Sequence, residues 1–226
     1  MASDGTQIQT RITRSSPFGS DADVSLTPQS GGLLLQARSP GFWPGLTSSV
    51  DLVVTVPRSA PVVITTCSGS VQVTDQIGAV RVTTSSGKIE GSRPGGTPEA
   101  QSSSGQEQIA GVSGGVRLQS SRGAIDAAGL THLRTAHSSS WGIHLSGTIA
   151  DDARVLTSSG GATIGFASDS SARINAMTLS GSIEAQSLNR DSRQQDQHSL
   201  TGVFGSGAGA LSITTSSESI ALKQSR

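Results

Sequence analysis

The chain has 226 residues, with 16 basic and 16 acidic side chains and no net formal charge. That balance excludes the basic excess of a nucleic-acid groove and a polybasic membrane patch. Hydrophobic residues make up 33% and aromatics 3%, so a large conventional core is excluded, yet balanced charge and many β-branched residues do not describe a disordered chain. The single cysteine, Cys67, excludes an internal disulfide framework and a cysteine-built zinc site.

Residues 1–57 carry alternating apolar–polar segments at 8–13, 24–27, 33–37 and 50–56. Ser39-Pro40-Gly41 and Trp43-Pro44-Gly45 punctuate them, and Pro57 closes the last. They predict an N-terminal β-strand cap. From residue 58 a repeat takes over. Ser-Ser-Gly-x-Ile/Val recurs with glycines at Gly69, Gly87, Gly105 and Gly123, which are equally spaced along the chain. The next equal step lands on Trp141, and later copies at Gly160, Gly181 and Glu218 drift in spacing. Other columns keep the same step. Val71, Ile89, Glu107, Ile125 and Ile143 form one, and Val73, Gly91, Ile109, Ala127 and Leu145 another. Between them lies a polar column, Gln72, Glu90, Gln108, Asp126 and His144. Apolar–polar–apolar at period two is a short strand buried on one face. A second strand precedes each glycine, as in Val80-Arg81-Val82 and Val116-Arg117-Leu118.

Short strands and a glycine corner in every repeat predict an all-β fold, a single-stranded β-helix or β-solenoid of parallel-stacked coils, running over 58–226. Together with the cap it forms one continuous domain. The corner glycines are expected to stack on one another and to take positive φ. The polar segment 187–199 is expected as a surface loop, with a smaller one at 93–97.

The ordered set Val54-Thr55-Val56-Pro57, then 62–71, then the repeated x-Val-x-Val-x-Thr-Ser-Ser-Gly-x-Ile, resembles the DUF4097 adhesin-like family, which is close to the head-domain autotransporter adhesins. The likeness covers roughly residues 50–222. It implies a strand-rich N-terminal part running into a β-helix, and it brings no catalytic motif.

The residues themselves supply little chemistry. His132, His137 and His144 are close in sequence but fall at different points of the coil, so no zinc set is expected. Glu90 and Asp126 lie two coils apart, a spacing that resembles paired glycosidase acids but equally suits a solvated ladder. Gly205-Ser206-Gly207-Ala208-Gly209 lacks the lysine of a phosphate loop and reads as a flexible loop. A Thr ladder for ice fails, because the column Thr65, Thr83, Gln101, Gln119, His137 loses threonine after two coils. Cys67 is expected as a small packed residue. Glu107 breaks an apolar column, either pointing inward or turned out by a register slip with Ile109 taking the core. Trp141 is either a corner packed beneath a loop, the expected state, or an exposed contact.

The expected function is a non-catalytic binding or structural module that presents polar ladders to a protein or glycan partner or to itself. The alternative is a carbohydrate-active β-helix lyase or hydrolase. Contact candidates are Gln72, Glu90, Gln108, Asp126, His144 and Trp141; no cofactor, metal or nucleic acid is expected. No apolar run approaches the roughly 18 residues of a membrane span. The N-terminal MASDGTQIQT lacks an apolar signal-peptide region, so a cytoplasmic location is the default expectation unless the chain is a fragment.

Overall fold

The computed structural model describes residues 2–3, 9–15, 23–29, 32–38, 49–149, 151–186 and 194–224. The chain divides into two compact units, Ser3–Pro57 and Arg58–Arg226. In the first, Gln9–Ser15 runs antiparallel to Ser49–Pro57, and Asp23–Gln29 pairs with Gly32–Arg38 as a hairpin. The Pro-Gly segments at 39–41 and 43–45 lie outside the described residues.

The second unit is an all-β solenoid. Each coil contributes one strand to a ten-stranded sheet and the next to an eight-stranded sheet among the described residues. Coil 1 is Val62–Thr66 and Val71–Thr74, coil 2 is Val80–Thr84 and Ile89–Ser92, and coil 3 is Glu99–Ser102 and Glu107–Ala110. Coil 4 is Gly115–Ser120 and Ile125–Leu130, and coil 5 is His132–Ser138 and Ile143–Gly147. Coil 6 is Ala153–Thr157 and Ala162–Phe166, coil 7 is Ala172–Thr178 and Ile183–Ala185, and coil 8 is Gly209–Thr215 and Ile220–Gln224. Neighbouring coils pair in parallel. The expected columns come out in register, as in Val71↔Ile89, Ile109↔Ala127 and Gln108↔Asp126. Inward side chains alternate with outward ones, so Val82, Leu118, Ile125, Ile143 and Ile164 fill a thin core between the two sheets.

The corner after each first strand has a simple chemistry. The hydroxyl three positions before the glycine accepts its backbone N–H: Gly87 to Thr84 Oγ1 at 3.0 Å, Gly105 to Ser102 Oγ at 2.6 Å, Gly160 to Thr157 Oγ1 at 3.1 Å and Gly181 to Thr178 Oγ1 at 3.0 Å. These hydroxyls are buried, whereas the two residues between hydroxyl and glycine face outward, as at Ser85-Ser86 and Ser103-Ser104. The glycines do stack, but not with positive φ. A Cβ on Gly87, Gly105 or Gly123 would overlap the carbonyl oxygen of the glycine one coil below. Close backbone stacking, not left-handed geometry, is therefore what requires glycine there. Positive φ falls on another column with the same step, at the end of the second strand in coils 1 to 4: Asp75 (55°), Arg93 (48°), Gly111 (67°) and Gly129 (64°).

The stacking order departs from chain order at the C-terminal end. Coil 8 lies between coils 6 and 7. Val155 pairs with Ile213 and Ala162 with Ile220 on one side, while Ile174 pairs with Leu211 and Ile183 with Ile220 on the other. An antiparallel arm, Ser199–Phe204 and then Gln194–Gln195, covers the outer edge of coil 7 in the ten-stranded sheet. Of the expected loop at 187–199, the residues 187–193 lie outside the described residues, and the remainder contributes this arm and an exposed turn at Asp196. Phe204 stacks on the buried Phe166, ring centroids 5.2 Å apart. The segment 205–209, expected as a flexible loop, is a bound turn. Gly205 and Gly207 take φ of 60° and 72°, and Ser206 and Ala208 N–H both donate to Ser171 Oγ at 3.1 Å.

Candidate functional site

The outer surface of the eight-stranded sheet carries two parallel columns, because alternate residues of a strand share a face. One is the predicted ladder Gln72, Glu90, Gln108, Asp126 and His144, held side by side by the in-register pairs between successive coils. The other lies two positions further along the strands and is small from coil 2 to coil 6: Ser92, Ala110 and Ala128 in register, then, after a register shift, Ser146 and Gly165. Small side chains beside long ones leave an open groove of about 760 Å³, lined by all five ladder residues, by this small column and by Lys223 of coil 8. The groove thus runs from coil 1 to coil 8. At coils 1 and 2 the Arg93 guanidinium grips the Asp75 carboxylate through Nε at 2.6 Å and Nη2 at 2.9 Å. That hydrogen bond, opposed by slight desolvation and aided by the Arg93 charge, holds the Asp75 carboxyl below its ordinary range. At coils 3 and 4 the same positions are Gly111 and Gly129.

The two ladder acids are already partnered. Glu90 pairs with Lys88, and Asp126 accepts from Gln106 Nε2 at 2.7 Å. Neither faces the other across a cleft; Gln108 stands between them in register.

Other candidates fall elsewhere. Trp141, expected to pack beneath a loop, is 59% exposed at the corner of coil 5 and does not line the groove. Two corners carry a side chain in place of glycine, Trp141 and Glu218, and each is flanked by glycine corners on both neighbouring coils, Gly123 and Gly160 for one, Gly160 and Gly181 for the other. Cys67, expected to be packed, is exposed, because it occupies the outward position that serine holds in later coils. Glu107 does not turn outward: it pairs in register with Ile89 and Ile125 and is completely buried, with Ile109 buried as well. Both of its carboxyl oxygens lack a hydrogen-bond partner. Burial pushes its pKa up to about 9, only partly opposed by the nearby backbone amides of Gln119 and Ser102. The three clustered histidines separate: His132 pairs with Asp151, His137 lies on the ten-stranded sheet and His144 on the eight-stranded one. Among the described residues no three His, Cys, Asp or Glu side chains gather around a common point.

The small column was missed in the sequence, although its step is as regular as that of the ladder. Alanine and serine stand out in neither charge nor hydropathy, so only the register shows that they lie beside the ladder on the same face. The positive-φ column was missed because Arg93 is not a residue that such a geometry normally selects, and one aspartate above it makes no periodic signal.

These features define the class, a β-solenoid preceded by a separate antiparallel β unit. Residues 46–223 match the model of the Toastrack DUF4097 family, and the chain belongs to that family. A crystal structure of a candidate cell adhesion protein from Clostridium sporogenes is similar at 12% identity and a TM-score of 0.30, over 96% of this chain and 82% of that one. Among curated proteins none matches this chain. No helix among the described residues is long and apolar enough to cross a membrane.

Proposed function

We propose that this protein is a non-catalytic binding module whose eight-stranded face holds an extended linear polymer along the solenoid axis. The observation that carries this reading is the length of the groove: the ladder runs in register through coils 1 to 6, and small residues flank it from coil 2 to coil 6 with one register shift between coils 4 and 5. A compact ligand needs an enclosed pocket that buries most of its surface, whereas an open trough repeated coil by coil suits a chain. Catalysis is not part of the proposal, since Glu90 and Asp126 are each occupied by a neighbour and stand in one row. The contact residues are Gln72, Glu90, Gln108, Asp126 and His144, with Ala110 and Ala128 forming the floor. Trp141 lies apart and would serve a separate contact.

The test is a two-dimensional NMR titration with linear oligomers of two classes, glycans and peptides, followed on the Gln72 and Gln108 side-chain amides and the Ala110 and Ala128 methyls. Shifts confined to these groups with either class support the groove. Absence of binding by both classes, or shifts centred on the ten-stranded face, overturns it.

A further inference from the structure

We infer that the occupant of the groove is a neutral, extended β-linked glycan, seated with one sugar per coil; the inference rests on the groove reading above. Three features of the trough select this chemistry. The first is pitch. Parallel strands on successive coils are about 4.8 Å apart, and the in-register pairs repeat one ladder residue at each step. That step is close to the length of one hexose in an extended β-linked chain. A β-strand peptide presents same-face side chains about 6.8 Å apart and falls out of step. A polyproline-type peptide repeats only after about 9.3 Å, roughly two coils, and leaves every second ladder residue without a partner.

The second feature is the kind of polar group. Each of coils 1 to 5 offers one carboxamide, carboxylate or imidazole, and Thr163 continues the row in coil 6. As a row these groups both donate to and accept from hydroxyls, and every sugar in such a chain carries hydroxyls to meet them. The third is charge. The ladder holds two carboxylates and no Lys or Arg, and its acids are tied to Lys88 and Gln106. Glu90 is paired with the Lys88 cation, whereas Asp126 accepts only from the neutral Gln106 carboxamide and keeps its charge, so the row repels a polyanion and offers hydrogen-bonding groups to a neutral chain.

The floor is made of methyl groups and backbone at Ala110, Ala128 and Gly165 rather than aromatic rings. Each sugar therefore contributes little, and affinity must accumulate along the chain. That is the signature to test. Calorimetry is run with cello-oligosaccharides of three to six units and with a proline-rich peptide of similar length, on the wild-type chain and on Asp126→Ala, Ala128→Trp and, as a control on the opposite sheet, Arg117→Ala. The expected result is a Kd that falls by about tenfold or more from trimer to hexamer. Asp126→Ala should weaken binding severalfold and Ala128→Trp abolish it, while Arg117→Ala leaves it unchanged; unchanged thermal melts exclude misfolding. Length-independent glycan binding, or binding insensitive to Ala128→Trp, overturns the inference. If the peptide binds and the glycan does not, the glycan inference fails and the groove reading stands. If neither binds, both fail.

Discussion

Glu107 is a residue at which this fold tolerates a large local cost. Its neighbours in the column are Ile89 and Ile125, both fully buried. A carboxyl in that place, with both oxygens unpartnered, stays protonated in the folded chain, and its pKa rises from an ordinary 4.5 to about 9. Between those two values the native state keeps a proton that the unfolded chain releases, so stability falls as pH rises through that window and levels off above it. The Glu107→Ile substitution restores the column and removes the linkage. It is expected to stabilise the protein at pH 7 by something on the order of 2–3 kcal/mol, and to give little from the linkage near pH 4. Urea unfolding at several pH values checks this. Parallel curves for the two proteins across pH 4–9 would show that the side chain is solvated in the native state.

Each coil is built around two corners with different demands on the backbone, and two glycine substitutions separate them. At Gly105 the chain passes so close to coil 2 that a Cβ would overlap the Gly87 carbonyl oxygen. A rigid backbone atom cannot move aside without spreading the stack. At Gly111 the demand is conformational, φ of 67°, while the nearest atom to an added Cβ is a carbon of the Arg93 side chain at 3.3 Å. Left-handed geometry costs an L residue roughly 1–2 kcal/mol, and the same corner already accepts Asp75 and Arg93 in coils 1 and 2. Gly105→Ala is therefore expected to destabilise more than Gly111→Ala, by about 2 kcal/mol or more against about 1 kcal/mol. Thermal melts of the two variants decide the order, and equal losses would mean that the stacked corner relaxes. The expected positive φ at Gly105 was wrong for a physical reason: in a solenoid, glycine can be demanded by the coil beneath it, which periodicity alone does not distinguish from a turn.

At the scale of the whole solenoid, the insertion of coil 8 between coils 6 and 7 makes the C-terminal coil an internal one. Leu211, Ile213, Ile220 and Leu222 are all fully buried, and coil 7 has its only parallel partner in coil 8 among the described residues. In a solenoid stacked in chain order, damage to the last coil frays one end, because each repeat contacts only its neighbours. Here Ile213→Asp buries a charge against both flanking coils. Hydrogen exchange should accelerate in Ala172–Thr178 as well as in Ala153–Thr157, while coils 1 to 3 keep their protection. If Ala172–Thr178 stayed protected, coil 7 would hold without its inserted neighbour and this stacking order would be overturned.

Periodicity in the amino-acid sequence is enough to establish the all-β class, the length of the coil, the register of the first four coils and the ladder Gln72, Glu90, Gln108, Asp126, His144. An unbroken step forces like positions into one column. Other features exist only in three dimensions. The order of the last coils depends on which strand fills the slot between coils 6 and 7, a long-range pairing such as Val155↔Ile213 that no local pattern announces. The outward turn of Trp141 and Cys67 and the burial of Glu107 depend on which face of the corner or strand each position occupies. The groove forms because small residues stand beside the ladder on the same face, and a trough is a property of two neighbouring columns rather than of either one.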